Sequence, residues 1–298
     1  MISVIICTYN RERYIQKAIE RVCKTDYKDY ELIVVDNNST DKTPGILKAF
    51  TAAHPELPIR CVLETRQGLS NARNRGMEEA RGDVFVFLDD DSLVEGDYLR
   101  SLGEYLTLNP QADAFGGRIE PLFDECPRPR WLCRWSMGWV SALDMGEAVR
   151  EFEGKAFPIG ANMGMRRAIA QKAGPFNPDL GRKGGNMDAG EEKDMFRRIR
   201  AAGGTIWYFP GLKVLHAIPA KRTTLEYVDR FADGVGISER VRTKADGTYL
   251  KRVAAEGVKW CGTIVLLVWY LITFRPVVGS TLVRFRAHVT RKLLSSER

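Results

Sequence analysis

Four short apolar runs, each ended by a polar cluster, constrain this chain most. Ile2 to Cys7, Glu31 to Val35, Ile59 to Leu63 and Val84 to Leu88 read as strands. Between them, Tyr14 to Lys24 reads as a helix with Ile15, Ala18, Ile19 and Val22 on one face, and Ser70 is placed to cap a helix running to Ala80. A run such as VFVFL is apolar on both faces, as a central parallel strand must be. Repeated strand–helix units imply right-handed crossovers and a mainly parallel sheet with flanking helices. Ligands of such sheets sit beyond the carboxyl ends of the strands. The polar clusters fall there: Thr8-Tyr9-Asn10-Arg11, Asp36, Arg66, and Asp89-Asp90-Asp91. Four loops therefore surround one crevice.

The 298 residues allow one large α/β domain with a short appendage, and 44% hydrophobic with 28% charged residues exclude a disordered or fibrous chain. A formal charge of +7 favours anionic partners, or simple solubility. The excess is concentrated: Arg275, Arg284, Arg286, Arg291, Lys292 and Arg298 face a single Glu297 beside an apolar stretch. No nucleic-acid partner is expected, because net charge is its only support. Six cysteines without CxxC spacing read as reduced thiols of a cytosolic protein, and no secretory signal is expected.

The second half is less regular. Ala114 to Ile119, Phe157 to Ile159, Thr205 to Phe209 and Leu212 to Leu215 read as strands, and Glu191 to Ala202 as a helix. From Leu225 onward the pattern is helical. A Trp-, Pro- and Arg-rich insertion carries Trp131, Trp135 and Trp139, which suit sugar stacking, lipid contact or core packing equally.

Three adjacent aspartates raise one another's proton affinity unless a cation neutralises them, and their oxygens suit Mg²⁺ or Mn²⁺. Seen alone, the triplet would be a solvated turn; a buried strand leading into it changes that reading. Asp36 is placed to accept hydrogen bonds from a base or ribose, and Asp41 to cap the next helix. Thr8 to Glu12 holds no glycine, which excludes a GxGxxG dinucleotide cradle. Glu191 and Glu192 open a helix, as first-turn caps or as a general base. The Gly-rich loop Gly181 to Gly190 before them reads as a possible lid. His216 follows a strand, Arg222 is suited to a departing diphosphate, and Gly160 to Gly164 would let Asn162 approach a sugar or make a tight turn.

The segments SVIICTYNR, VVDNNSTDKT, GLSNARNRG, VFLDDDS, GANMGMRR and GEEKDMFRRIRAAGG resemble glycosyltransferase family 2, in the family's order, over roughly residues 1 to 236. The resemblance implies a GT-A fold and inverting transfer from a UDP- or GDP-sugar with a divalent metal, Mn²⁺ or Mg²⁺. It implies that Thr8, Tyr9, Asn10 and Arg11 line the nucleotide pocket and that Asp36 contacts the base. Arg66 and Arg73 would lie near the phosphates or sugar, Asp89 and Asp90 on the donor side, and Asp91 on the metal. His216 and Arg222 match a region that closes over the diphosphate, with His216 a candidate metal ligand. The family usually carries Glu-Asp where this chain has Glu191-Glu192, so Glu192 is the expected base and Glu191 the reserve.

Val258 to Phe274 is somewhat shorter than the ~20 residues of a spanning helix, with Lys259 and Arg275 at its ends. Attachment to the cytoplasmic face of a membrane is expected, with a glycan or lipid-linked acceptor; a buried helix is the alternative. The domain reading is a catalytic domain over 1–240 and a helical, membrane-associated segment over 241–298. A polyprenyl-phosphate sugar transferase, or a non-catalytic nucleotide-sugar-binding subunit, would share the same donor half.

Overall fold

A computed structural model describes residues 1–182 and 190–295. Strands β1 (Ile2–Thr8), β2 (Tyr30–Asp36), β3 (Ile59–Leu63) and β4 (Val84–Asp89) form the parallel half of one sheet. Helices α1 (Ile15–Cys23), α2 (Thr43–Ala53) and α3 (Leu69–Glu79) connect them. Next come β5 (Ser92–Val94), α4 (Tyr98–Leu108), β6 (Ala112–Leu122), β7 (Arg150–Glu151), β8 (Asn162–Arg166), α5 (Arg167–Ala173), α6 (Glu191–Ala201) and β9 (Thr205–Ala217). The sheet order is β3-β2-β1-β4-β8-β6-β9-β5, with β7 on β9. The half beyond β4 holds antiparallel pairs, β4 with β8, β6 with β8 and β5 with β9.

Strand alternation explains why the first runs are continuously apolar. Ile2, Val4 and Ile6 enter one core cluster with α1, α2 and α4, while Ile5 joins α3, α5 and α6 on the opposite face. Val84, Val86 and Leu88 divide from Phe85 and Phe87 in the same way. Both faces are covered, so the strands are almost wholly apolar, and the buried Ser3 hydroxyl is satisfied by donating to Glu31 Oε1 at 2.7 Å.

Three local expectations are corrected. Ser70 does not cap α3: Gly68 stands at the N-cap with φ 134°, and the Ser70 hydroxyl instead donates to the Leu180 carbonyl at 2.8 Å. Phe157 to Ile159 is not a strand; Pro158 lacks an N–H, and the chain turns there, with Asn162 N–H donating to the Ile159 carbonyl before β8 begins. The two segments read around Pro210-Gly211 are one strand, β9. At that bend the Gly211 N–H is satisfied by the Tyr105 hydroxyl at 3.1 Å.

The chain divides into two compact units, residues 1–121 with 141–217, and 122–140 with 218–298. The second unit contains α7 (Leu225–Ala245), α8 (Tyr249–Ile272) and α9 (Pro276–Leu294). Thr224 caps α7 by accepting the Tyr227 N–H. In this unit Trp139 stacks on Phe285 with ring centroids 4.2 Å apart, and the Trp131 indole donates to the Thr223 carbonyl. Trp131 and Trp139 thus serve core packing, whereas Trp135 is about half exposed.

Candidate active site

Register places the polar ends of the parallel strands side by side. Thr8 lies opposite Asp36 across β1 and β2, and Cys7 opposite Asp89 across β1 and β4. The first two loops are tied together: Asn10, at φ 54°, accepts the Thr40 N–H at 2.8 Å, and Ser39 Oγ accepts the Asn10 N–H. Asp36 Oδ1 accepts the Ser39 N–H at 3.0 Å, and Asp41 Oδ1 accepts the Thr43 N–H. Tyr9 is half-buried beside this knot.

Pairing of β5 with β9 does for His216 what parallel register does for Asp36. Ser92 stands opposite His216, and the Ala217 N–H donates to the Asp91 carbonyl. His216 Nε2 then lies 3.0 Å from Asp91 Oδ1, with both side chains 2% exposed. Ligand-type atoms of Asp89, Asp91 and His216 all fall within 4.8 Å of one another. The donor set fits a divalent ion: two carboxylates supply charge, and mixed oxygen and imidazole ligation suits a transition ion such as Mn²⁺. His216 Nδ1 is also buried without a hydrogen-bond partner among the described residues.

Arg11 offsets part of the negative charge, its Nε 3.3 Å from Asp90 Oδ1 and its Nη2 3.6 Å from Asp91 Oδ2. Burial nevertheless pushes Asp90 up to about 7, against the pull of Arg11 and with Asp91 and Asp89 adding to the rise. Asp90 is thus paired with Arg11, and Asp89 joins the metal-type cluster that the sequence assigned to Asp91 and His216.

A second corner forms where α6 begins. Gly190, at φ 133°, turns the chain into the helix, and Glu191 Oε2 accepts the Gly190 N–H at 3.0 Å. Arg73, from α3, is 2% exposed and contacts both glutamates: Nη1 is 3.0 Å from Glu191 Oε1, and Nη2 is 3.5 Å from Glu192 Oε1. The Gly160 N–H donates to Glu192 Oε1 at 2.9 Å. Burial pushes Glu192 up to about 7; Arg73 opposes this, while Glu191 and Asp89 add to it. A carboxylate so tuned can accept a proton near neutral pH.

Several sequence expectations meet different surroundings. Asn162 is 1% exposed and fully used within the sheet: its Oδ1 accepts the Tyr98 hydroxyl, and its Nδ2 donates to the carbonyls of Arg118 and Leu212. No polar atom is left for a sugar. Gly117 permits this staple, because a Cβ there would lie 1.9 Å from the Leu212 carbonyl oxygen. Arg66 is exposed and forks onto the Glu64 carboxylate at 2.8 and 3.0 Å. Arg73 is buried against carboxylates rather than open to phosphates. Arg222 belongs to the second unit, in a 3₁₀ turn over Ala220–Thr223. The proposed lid falls mostly on residues 183–189, outside the described residues. The Arg73–Glu191–Glu192 cluster was not foreseen as a unit; the arginine on a helix rich in small residues, in SNARNRG, was its one sequence signal.

A parallel four-strand half, an antiparallel extension and a carboxylate cluster at the end of β4 define a GT-A fold. The chain belongs to glycosyl transferase family 2, whose family model matches residues 3–174. Among curated relatives it is similar to the glucosyl-dolichyl phosphate glucuronosyltransferase of Haloferax volcanii, 27% identical over 246 residues that cover 80% of this chain and 76% of that protein. It is also similar to succinoglycan biosynthesis protein ExoM of Rhizobium meliloti, 27% identical, covering 89% of this chain and 84% of that one. Other relatives match over shorter stretches; the alignment with glycosyltransferase GlyA of Streptococcus pneumoniae spans 34% of this chain and 14% of that protein. Among solved structures, the mannosyltransferase PcManGT of Pyrobaculum calidifontis, in complex with GDP-Man and Mn²⁺, shares the fold. Its TM-score is 0.62 at 20% identity, covering 99% of this chain and 88% of that one.

Proposed function

We propose that this chain is an inverting, metal-dependent transferase moving a sugar from a UDP- or GDP-sugar to a hydroxyl of a glycan or lipid-linked acceptor. The supporting observation is the presence of two distinct acidic corners at one sheet's carboxyl end, a metal-type cluster and a separately held Glu192. Thr8, Tyr9, Asn10 and Arg11 line the nucleotide pocket, and Asp36 receives the base. Asp89, Asp91 and His216 hold Mn²⁺ or Mg²⁺. When bound, that ion supplies charge stabilisation for the leaving diphosphate. Glu192 takes the proton of the acceptor hydroxyl as that oxygen attacks the anomeric carbon from the face opposite the diphosphate.

A lipid-linked acceptor is favoured by the H. volcanii relative's name and by α8. That helix is long and apolar enough to cross a membrane by length and composition, with 17% of its apolar window buried. Exposed Val258, Val265, Trp269 and Ile272 repeat along it at helical spacing. We place the chain at the cytoplasmic face, in cell-surface polysaccharide or glycolipid synthesis, with 1–240 catalytic and 241–298 the membrane-associated segment.

The test is a panel of UDP- and GDP-sugars with Mn²⁺, read by thermal shift and nucleotide release. A binding-competent donor raises the melting temperature by mass action, and its nucleotide is released only with the metal present. Stabilisation without release would instead indicate a binding subunit, and EDTA-insensitive release would remove the metal from the reading.

A further inference from the structure

Glu192 is held asymmetrically. Its Oε1 lies between two donors, the Gly160 N–H at 2.9 Å and Arg73 Nη2 at 3.5 Å. Both of these contacts run through Oε1 rather than Oε2, and the side chain remains 23% exposed. Glycine at 160 is required for this arrangement, because a Cβ there would lie 2.2 Å from Glu192 Oε1 and 2.3 Å from Arg73 Nη2. The Phe176 ring, 5.4 Å from the guanidinium carbon, covers Arg73 from another side. Glu191 holds the remaining arm of Arg73 at 3.0 Å and is itself fixed by the Gly190 N–H.

We propose that Arg73 and Glu191 are positioning residues that set the proton affinity of Glu192 in opposite senses, Arg73 by holding Oε1 and Glu191 by drawing the guanidinium towards itself. The proposal rests on Glu192 being the base. Three charged groups act on Glu192: Arg73 from α3, Glu191 on its own helix, and Asp89 at the end of β4. Given wholly to Glu192, Arg73 would make it a tight ion pair and a weak base. Without Arg73, adjacent carboxylates would force one to keep its proton. Sharing one guanidinium between two glutamates avoids both extremes and leaves Oε2 as the atom that receives the proton. Glu191 is therefore not a reserve base, since its oxygens are committed to Arg73 and Gly190. Arg73, with both terminal nitrogens on protein carboxylates, is likewise committed away from the donor phosphates.

The experiment follows the carboxyl carbons of the full chain, labelled with [δ-¹³C]glutamate, through a pH titration in EDTA. Glu192 is assigned by its absence from the Glu192→Gln spectrum. In Glu191→Gln the proton affinity of Glu192 falls at least tenfold, and in Arg73→Gln it rises at least tenfold. If Arg73→Gln does not fold, Glu191→Gln decides alone; an unmoved Glu192 midpoint there overturns the proposal. Calorimetric titration of UDP and of GDP with Mg²⁺ supplies the second arm. Unchanged dissociation constants in Arg73→Gln are expected, and a tenfold weakening would assign Arg73 to the donor instead. Failure of the base reading is separately visible, as undiminished nucleotide release by Glu192→Gln.

Discussion

Glu192 and Glu256 are both largely buried carboxylates on helices, one in each compact unit, yet their protonation moves in opposite directions. Burial pushes Glu192 up to about 7, and Arg73, its one ion-pair partner among the described residues, is shared with Glu191. Burial acts on Glu256 in the same sense, but Arg252 at 2.6 Å, Arg286 at 3.2 Å and the Thr290 hydroxyl at 3.0 Å outweigh it and hold Glu256 below its ordinary value. Around Glu256 and the neighbouring Glu239 and Asp246, the positive charge of Arg242, Arg252 and Arg286 matches the carboxylates. In the crevice, Asp89, Asp90, Asp91, Glu191 and Glu192 are met by Arg11 and Arg73. Buried charge that is fully paired binds helices together. Buried charge left in deficit can bind a cation or accept a proton.

The contrast is tested first at Glu192. Glu192→Gln keeps the Gly160 and Arg73 contacts within reach but removes the proton acceptor, so sugar transfer falls by roughly 10²- to 10⁴-fold. Nucleotide binding, followed by calorimetry, stays unchanged; transfer within threefold of the parent would contradict the role. At Glu256 the expected loss is of stability. Glu256→Gln leaves Arg252 and Arg286 without their shared counter-charge, costing about 3–5 kcal/mol by urea denaturation. Activity per folded molecule is retained, and a loss of turnover without a loss of stability would blur the distinction between the two regions.

A smaller effect separates the pair by pH. Transfer needs Glu192 deprotonated, so its rate falls about tenfold per unit below the Glu192 midpoint near 7. Because the folded state holds this proton more tightly than the ordinary value of 4.5, the Glu192 contribution to stability declines as pH rises from there to about 7. Glu256 has the opposite sign: its contribution is present above 4.5 and lost as pH falls through its lowered value. Rate and denaturation profiles recorded over the same pH range check both signs.

The parallel half of the sheet was legible because β1, β2 and β4 are buried on both faces and each polar terminus is local in sequence. Thr8, Asp36 and Asp89 could be brought together by topology alone. The antiparallel half was harder. Asn162 looked like a loop residue among glycines, and only its partners on β6 and β9 reveal it as a staple inside the sheet. Pro210-Gly211 looked like a break, because the Tyr105 hydroxyl that satisfies it is distant in sequence. The same distance hid the Arg73 cluster, since Arg73 and Glu191 meet only after folding. His216 was a lone histidine until β5 paired with β9 and set it against Asp91.

The central claim is that the cluster of Asp89, Asp91 and His216 in the crevice forms a metal site. Titration with Mn²⁺, followed by the loss of its free-ion electron paramagnetic resonance signal in the presence of UDP or GDP, tests it most directly. One ion bound per chain is expected in the parent and in Glu256→Gln, with binding lost in Asp91→Asn and in His216→Ala. Equal binding in the parent and Asp91→Asn, or no binding in the parent with either nucleotide, would contradict the account.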